Sequence, residues 1–141
     1  MAIPKHLRLE FVTPTRSIVH DDVDEVELPG EEGFFGVLPG HAPMLAALKV
    51  GGMWYRKGAD KHFAFLADGF AEVLPDRVSV LAQVAERAED IDLARAEAAK
   101  RRAEERLAKP VGDLDFERAR IALLRALTRL QISKHTGRTR V

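Results

Sequence analysis

The residues of this 141-residue chain that could do chemistry are arginines and carboxylates at helical spacing. Successive residues of an α-helix turn by about 100°, so Arg118, Ala122, Arg125 and Arg129 share one face of a helix. Upstream, Asp92, Arg95, Arg102 and Arg106 fall within one broad stripe. Guanidinium groups meet phosphate or carboxylate oxygens in charge-assisted, often two-pronged bonds. Like charges one helical turn apart cost a few tenths of a kcal/mol per pair. Such a row therefore predicts an anion set against it. A solvated basic helix face is the competing expectation, and the spacing leaves both open.

Other chemistries find no support. The five histidines, at 6, 20, 41, 62 and 135, are scattered, and none belongs to an H-E-x-x-H pair, so no metal site is expected. No phosphate loop of the form G-x-x-x-x-G-K-[S/T] occurs. Gly30, Gly33 and Gly36 lie in a turn-and-strand context with no helix after them, which argues against a dinucleotide site. His41, within Pro39-Gly40-His41-Ala42-Pro43, reads as a loop-packing residue. There is no cysteine, which removes disulfide and thiolate chemistry. No catalytic group is expected.

Lys plus Arg and Asp plus Glu number 22 each, but the balance is uneven. Residues 1–84 hold 8 basic and 12 acidic residues, and residues 85–141 hold 14 and 10. Seven Lys or Arg and no acid follow Glu117. A basic tail on a neutral chain predicts an acidic partner for that tail. A nucleic-acid-binding module is the weaker alternative: the chain is neutral overall and its one Trp and one Tyr offer no stacking platform, so no nucleic-acid partner is expected. No apolar run approaches bilayer length, and Met1-Ala2-Ile3-Pro4-Lys5-His6 lacks the apolar core of a signal peptide. The expectation is a cytosol-like compartment, no direct membrane insertion, and membrane association only through a protein partner.

The elements that must position these side chains change character at Glu86–Ala96. Before that stretch the chain alternates apolar and polar residues between Gly and Pro; after it the chain is rich in Ala, Leu, Arg and Glu. This is a switch from a period near 2 to one near 3.6, hence from strands to helices. Strands are predicted over 6–12, 17–20, 23–28, 34–38, 53–56, 61–67, 70–74 and 77–84, with residues 44–50 ambiguous. Turns are expected at Asp21-Asp22 and, as a two-residue hairpin, at Asp68-Gly69. Many short strands with frequent turns imply an antiparallel β-sandwich over residues 1–86.

Residues 87–141 imply an antiparallel two-helix hairpin with a basic tail. The first helix runs over about 91–108, opened by Asp90 and Asp92, which suit a helix start. Leu93, Ala96, Ala99, Ala103 and Leu107 line one side of it. The second helix, capped by Asp113 or Asp115, runs to about Ser133. Its apolar face is predicted to be Phe116, Ala119, Leu123, Ala126, Leu127 and Leu130, with the arginines opposite. An Ala-rich seam buries little area, so the hairpin should be weakly held. Residues 134–141 should be frayed.

Two strings carry a resemblance. Ile91-Asp92-Leu93-Ala94-Arg95-Ala96 is similar to the I-D-x-x-R-A motif of the epsilon subunits of bacterial F-type ATP synthases. Gly36-Val37-Leu38-Pro39-Gly40-His41-Ala42-Pro43 resembles that family's G-x-L-P-G-H-x-P loop. The likeness covers nearly the whole chain. It implies an α+β, two-domain fold: a flattened N-terminal β-sandwich and a C-terminal helical hairpin. It implies a non-catalytic, regulatory subunit of the central stalk in a complex that couples proton translocation to ATP synthesis.

By that resemblance the sandwich would meet the gamma subunit and the membrane rotor ring. The hairpin would reach the catalytic alpha/beta head and inhibit ATP hydrolysis, with Arg118, Arg125 and Arg129 as contacts. The location implied is peripheral, on the cytoplasmic face of the bacterial plasma membrane. Matched residue by residue, a regulatory ATP site would comprise Glu86, Ile91, Asp92, Arg95, Ala96, Arg102, Arg118, Arg125 and Arg129, with no magnesium requirement.

Overall fold

The computed structural model describes residues 2–109 and 111–136, and the backbone of 139–140. Its first region comprises β1 (Leu7–Val12), β2 (Ser17–Val23), β3 (Glu25–Gly30), β4 (Gly33–Val37), β5 (Met44–Leu48), β6 (Gly51–Lys57), β7 (Asp60–Leu74) and β8 (Arg77–Arg87). Alternation in the sequence becomes alternation in burial. In β1, Leu7, Leu9 and Phe11 are fully buried while Arg8, Glu10 and Val12 are partly exposed. The strands pair in the order β2-β1-β8-β7-β5-β3-β4, with β6 bridging β3 and β7. These pairings are antiparallel except for β1 with β8, which run parallel. That pair joins distant parts of the chain, so no local pattern could show its direction. The main core fills the sandwich with Leu7, Leu9, Phe11, Val26, Leu28, Met53, Leu66 and Val78, all fully buried.

Two expected turns are corrected. Asp21 and Asp22 lie inside β2, which continues to Val23. Asp68-Gly69 does not reverse the chain but sits within the 15-residue strand β7. Asp68 does adopt the positive φ that the dipeptide signals, at 58°, yet it uses it at a partner change. β7 pairs with β6 through Leu66 and with β5 from Gly69 onward, keeping β8 on its other edge. Gly69 is required there, because a Cβ would run into the carbonyl oxygen of Leu81.

A 3-10 turn (Ala88–Asp90) leads into α1 (Leu93–Ala108), and α2 (Asp113–Ser133) folds back beside it. Asp92 is the N-cap of α1, its carboxylate accepting from the Arg95 amide at 3.1 Å. The cap of α2 differs from expectation: Gly112 holds the position without a side-chain bond, and Asp113 and Asp115 lie in the first turn, where the helix dipole favours acids. The seam between the helices is Ala96, Ala103, Ala119 and Ala126, each between 1% and 4% exposed. At about 25 cal/mol per Å² of apolar area, such contacts stabilise far less than a leucine seam.

The rotation of α2 also differs from the predicted one. Phe116 and Leu127, expected to be inside, are 42% and 44% exposed. Arg125 and Arg129, expected on the solvent side, are half-buried against the sandwich. α2 packs on β6, on β7 and on the 3-10 turn. A small second core forms there from Phe65, Ala67, Ala88, Ile91 and Ile132, with Val50, Phe63 and Val84 alongside. Ile132 fits over Gly52, where a Cβ would collide with its terminal methyl. Beyond α2, the His135 ring stacks on Phe63 with centroids 4.0 Å apart. Part of the tail expected to fray forms β9 (Thr139–Arg140), antiparallel to Asp60–Lys61 of β7; residues 137, 138 and 141 lie outside the described residues.

Candidate functional site

The end of β8, the 3-10 turn, the start of α1 and the inner face of α2 enclose a cavity of about 500 Å³. Its walls are Val84, Glu86, Asp90, Asp92, Arg95, Ala96, Ala99, Arg102 and Arg129. Each wall has a local cause. Alternation along β8 turns Val84 and Glu86 to one side. The Asp92 cap fixes the first turn of α1, and helical spacing then sets Arg95, Ala99 and Arg102 along one edge. Ala96 and Ala99, being small, leave the hollow open. The volume falls in the range of roughly 300–1,000 Å³ usual for small-molecule sites.

Beside it lies a second hollow of about 310 Å³ walled by Ala99, Arg118, Ile121, Ala122, Arg125 and Arg129. Ala99 and Arg129 belong to both. The arginines that the sequence placed on two separate helices thus converge on adjoining cavities once the hairpin is closed on the sandwich.

Of the residues singled out from the sequence, Glu86, Asp92, Arg95, Ala96, Arg102 and Arg129 line the first cavity. Arg118 and Arg125 line the second. Ile91 does not face either cavity; it is 8% exposed and packs in the small core beneath them. Val84, Asp90 and Ala99 are walls that sequence reasoning missed. Val84 lies upstream of the recognised positions without a motif of its own, Asp90 carries only a helix-start signal, and Ala99 carries only the signal of a helix seam.

The anion that the arginine row demands is present within the protein itself. Arg129 Nε donates to Glu86 Oε1 at 2.6 Å, and its guanidinium lies over the Phe65 ring, 4.5 Å from the centroid. Arg125 donates to Asp68 Oδ2 at 2.5 Å. Both carboxylates belong to the sandwich and both guanidiniums to α2. The cavity offers donors from Arg95 and Arg102 and acceptors from Asp90 and Asp92. That combination suits a ligand with an anionic end and an amino-bearing end. Among the described residues no group of three or more His, Cys, Asp or Glu is placed to hold a metal ion.

The opposite end of the sandwich carries an apolar surface. Leu45 borders both a hollow lined by Phe34, Phe35, Met44, Glu31 and Glu32 and a groove lined by Phe70, Leu81, Val12, Glu10, Glu72 and Ser79. Leu45 is 75% exposed, Phe34 59% and Phe70 53%. Exposed apolar side chains rimmed by carboxylates are the pattern that protein, membrane or ligand contacts use. Among the described residues no helix is long and apolar enough to cross a membrane.

A β-sandwich followed by a two-helix hairpin that closes over an arginine-lined cavity is a recognisable architecture. The model of the ATP synthase Delta/Epsilon chain beta-sandwich domain matches residues 6–88, and that of the Delta/Epsilon chain long alpha-helix domain matches residues 89–134. The chain belongs to the ATP synthase epsilon chain family, whose members are non-catalytic subunits.

Among similar proteins, the ATP synthase epsilon chain of Nitratidesulfovibrio vulgaris is 50% identical over 128 residues, which are 91% of this chain and 96% of that one. The ATP synthase epsilon chain of Syntrophobacter fumaroxidans is 48% identical over 130 residues, covering 92% and 97%. A chain in the Euglena gracilis mitochondrial ATP synthase shares the fold at a TM-score of 0.83 and 23% identity, covering 96% of this chain and 85% of that chain.

Proposed function

We propose that this chain is a regulatory subunit of the ATP synthase central stalk, and that ATP holds its hairpin closed without being hydrolysed. The observation that carries the reading is the convergence of Asp92, Arg95, Arg102 and Arg129 on one cavity, with Arg118 and Arg125 beside it. The guanidiniums are the phosphate partners. Asp92, which uses one oxygen for the helix cap, has a second to accept from the adenine amino group. The arginines already supply positive charge, so magnesium is not required. No phosphate loop is present, so ATP stays intact.

The ligand favours closure because the walls come from both the sandwich and both helices. An open hairpin cannot assemble them, and a ligand shifts an equilibrium only by its differential affinity for the two states. At a hundred times its dissociation constant it contributes about 2.7 kcal/mol to the state it binds. Calorimetry of the full chain with ATP, without magnesium, tests this. Saturable binding that is lost in Asp92→Ala or Arg95→Ala, with no phosphate released, supports it; no heat at millimolar ATP refutes it.

The apolar surface around Leu45 and Phe70 is the face proposed to dock on the gamma subunit, with the membrane rotor ring nearby and the complex on the cytoplasmic face of the plasma membrane. Phe70→Glu is expected to abolish recovery of the folded subunit with gamma. Recovery at the level of the unaltered chain would move the docking face elsewhere. Extended, the hairpin would carry Arg118, Arg125 and Arg129 to the catalytic head and inhibit hydrolysis there.

A further inference from the structure

Asp68 stands apart from the residues considered so far. Among the described residues it is the one non-glycine at positive φ, a conformation that only a few residue types with a Cβ, Asp and Asn foremost, adopt readily. Unusual backbone of this kind persists where the surroundings impose it and clusters at ligand clamps and switches. The bend at Asp68 projects its carboxylate from the sandwich toward α2, where it takes one guanidinium nitrogen of Arg125 at 2.5 Å.

The pairing is incomplete. Only one arm of the guanidinium fork is engaged by Asp68. Arg125 Nε is buried and has no hydrogen-bond partner among the described residues. A guanidinium in a half-buried position with a spare donor calls for a second acceptor, and a phosphate, with several oxygens, would offer one where a single carboxylate oxygen does not.

We propose that Asp68 is an intrinsic latch. Its carboxylate holds Arg125, and with it α2, against the sandwich when no ligand is bound, and an anionic ligand entering the adjoining cavity competes with it for that guanidinium. The holding role stands on the ion pair and the bend alone; the competing role rests on the ATP reading of the site. The latch sets how far the hairpin is closed before any nucleotide arrives, so it governs the amplitude of the nucleotide response. A chain with the latch keeps only a minor open population at rest for ATP to remove, and a chain without it keeps a larger one.

The chain has no cysteine, so Ser17→Cys and Gln131→Cys, both at exposed positions on the sandwich and on α2, accept a pair of spin labels whose separation reports closure. In the full-length labelled chain, Asp68→Gly suits the backbone at this position, and Asp68→Asn keeps the side-chain shape without its charge. Both are expected to lower the closed-to-open ratio without ATP by about two- to fivefold, the range for a partly exposed ion pair. At saturating ATP the separation should match that of the unaltered chain, so the ATP-dependent change grows.

In an Arg125→Ala background, Asp68→Asn should add nothing. An unchanged resting separation in both variants overturns the latch, as does an undiminished effect of Asp68→Asn without Arg125. The nucleotide-free arms decide the latch even if ATP does not bind. Binding of ATP together with an unmoved resting separation would remove the latch and leave the ATP reading intact.

Discussion

Phe11 in the sandwich and Ala126 in the hairpin are equally hidden from water, at 0% and 1% exposure, but they do not hold their regions with equal force. Phe11 fills a core dominated by leucines and valines to which all eight strands of the sandwich contribute. Ala126 contributes one methyl group to a seam of alanines, and a buried methyl or methylene stabilises by about 0.8 kcal/mol. The sandwich is stabilised by volume. The hairpin is seated by a handful of particular contacts: Ile132 over Gly52, His135 on Phe63, Arg129 on Glu86 and Arg125 on Asp68. A region held in the first way resists perturbation as a unit. One held in the second way can be released or captured by a single ligand without disturbing the rest of the protein.

The largest effect is expected from cutting the core. Phe11→Ala should destabilise the protein by about 3–5 kcal/mol, the usual range for emptying a buried aromatic site, read as a large fall in the thermal unfolding midpoint. A loss no greater than an alanine-seam substitution produces would mean that the sandwich is not the stable partner.

A smaller effect on stability and a larger one on regulation follow from the hairpin. Changing Arg118, Arg125 and Arg129 together to Ala should leave the unfolding of the sandwich nearly unchanged. In the assembled ATP synthase it should raise the hydrolysis rate, because the proposed contacts to the catalytic head are gone. The difference from the unaltered complex should shrink as salt rises, since exposed charges are screened over about 10 Å at 0.1 M. Equal hydrolysis at every nucleotide level would refute the inhibitory role.

The strands of the sandwich and both helices were legible because their signals are local. Leu7, Leu9 and Phe11 alternate, and Asp92 precedes an uninterrupted helical run. What failed depended on contacts distant in sequence. Asp68-Gly69 encodes a positive φ, which the structure shows, but whether that φ reverses a chain or bends a strand depends on β5, β6 and β8 around it. Hydrophobicity alone does not set the rotation of α2. Glu86 and Asp68 make it favourable to turn Arg125 and Arg129 inward, which leaves Phe116 and Leu127 facing water. The spacing of the arginines required an anion; that the sandwich supplies two carboxylates could not be seen without the fold.

We expect the hairpin to be poised and nucleotide-sensitive while the sandwich stays fixed. The most direct test is the separation between spin labels at Ser17→Cys and Gln131→Cys in the otherwise unaltered chain, measured with and without ATP. The expected result is a resting distribution with a minor longer-distance population that ATP collapses into the single short separation of the closed form. Identical distributions with and without millimolar ATP would contradict it.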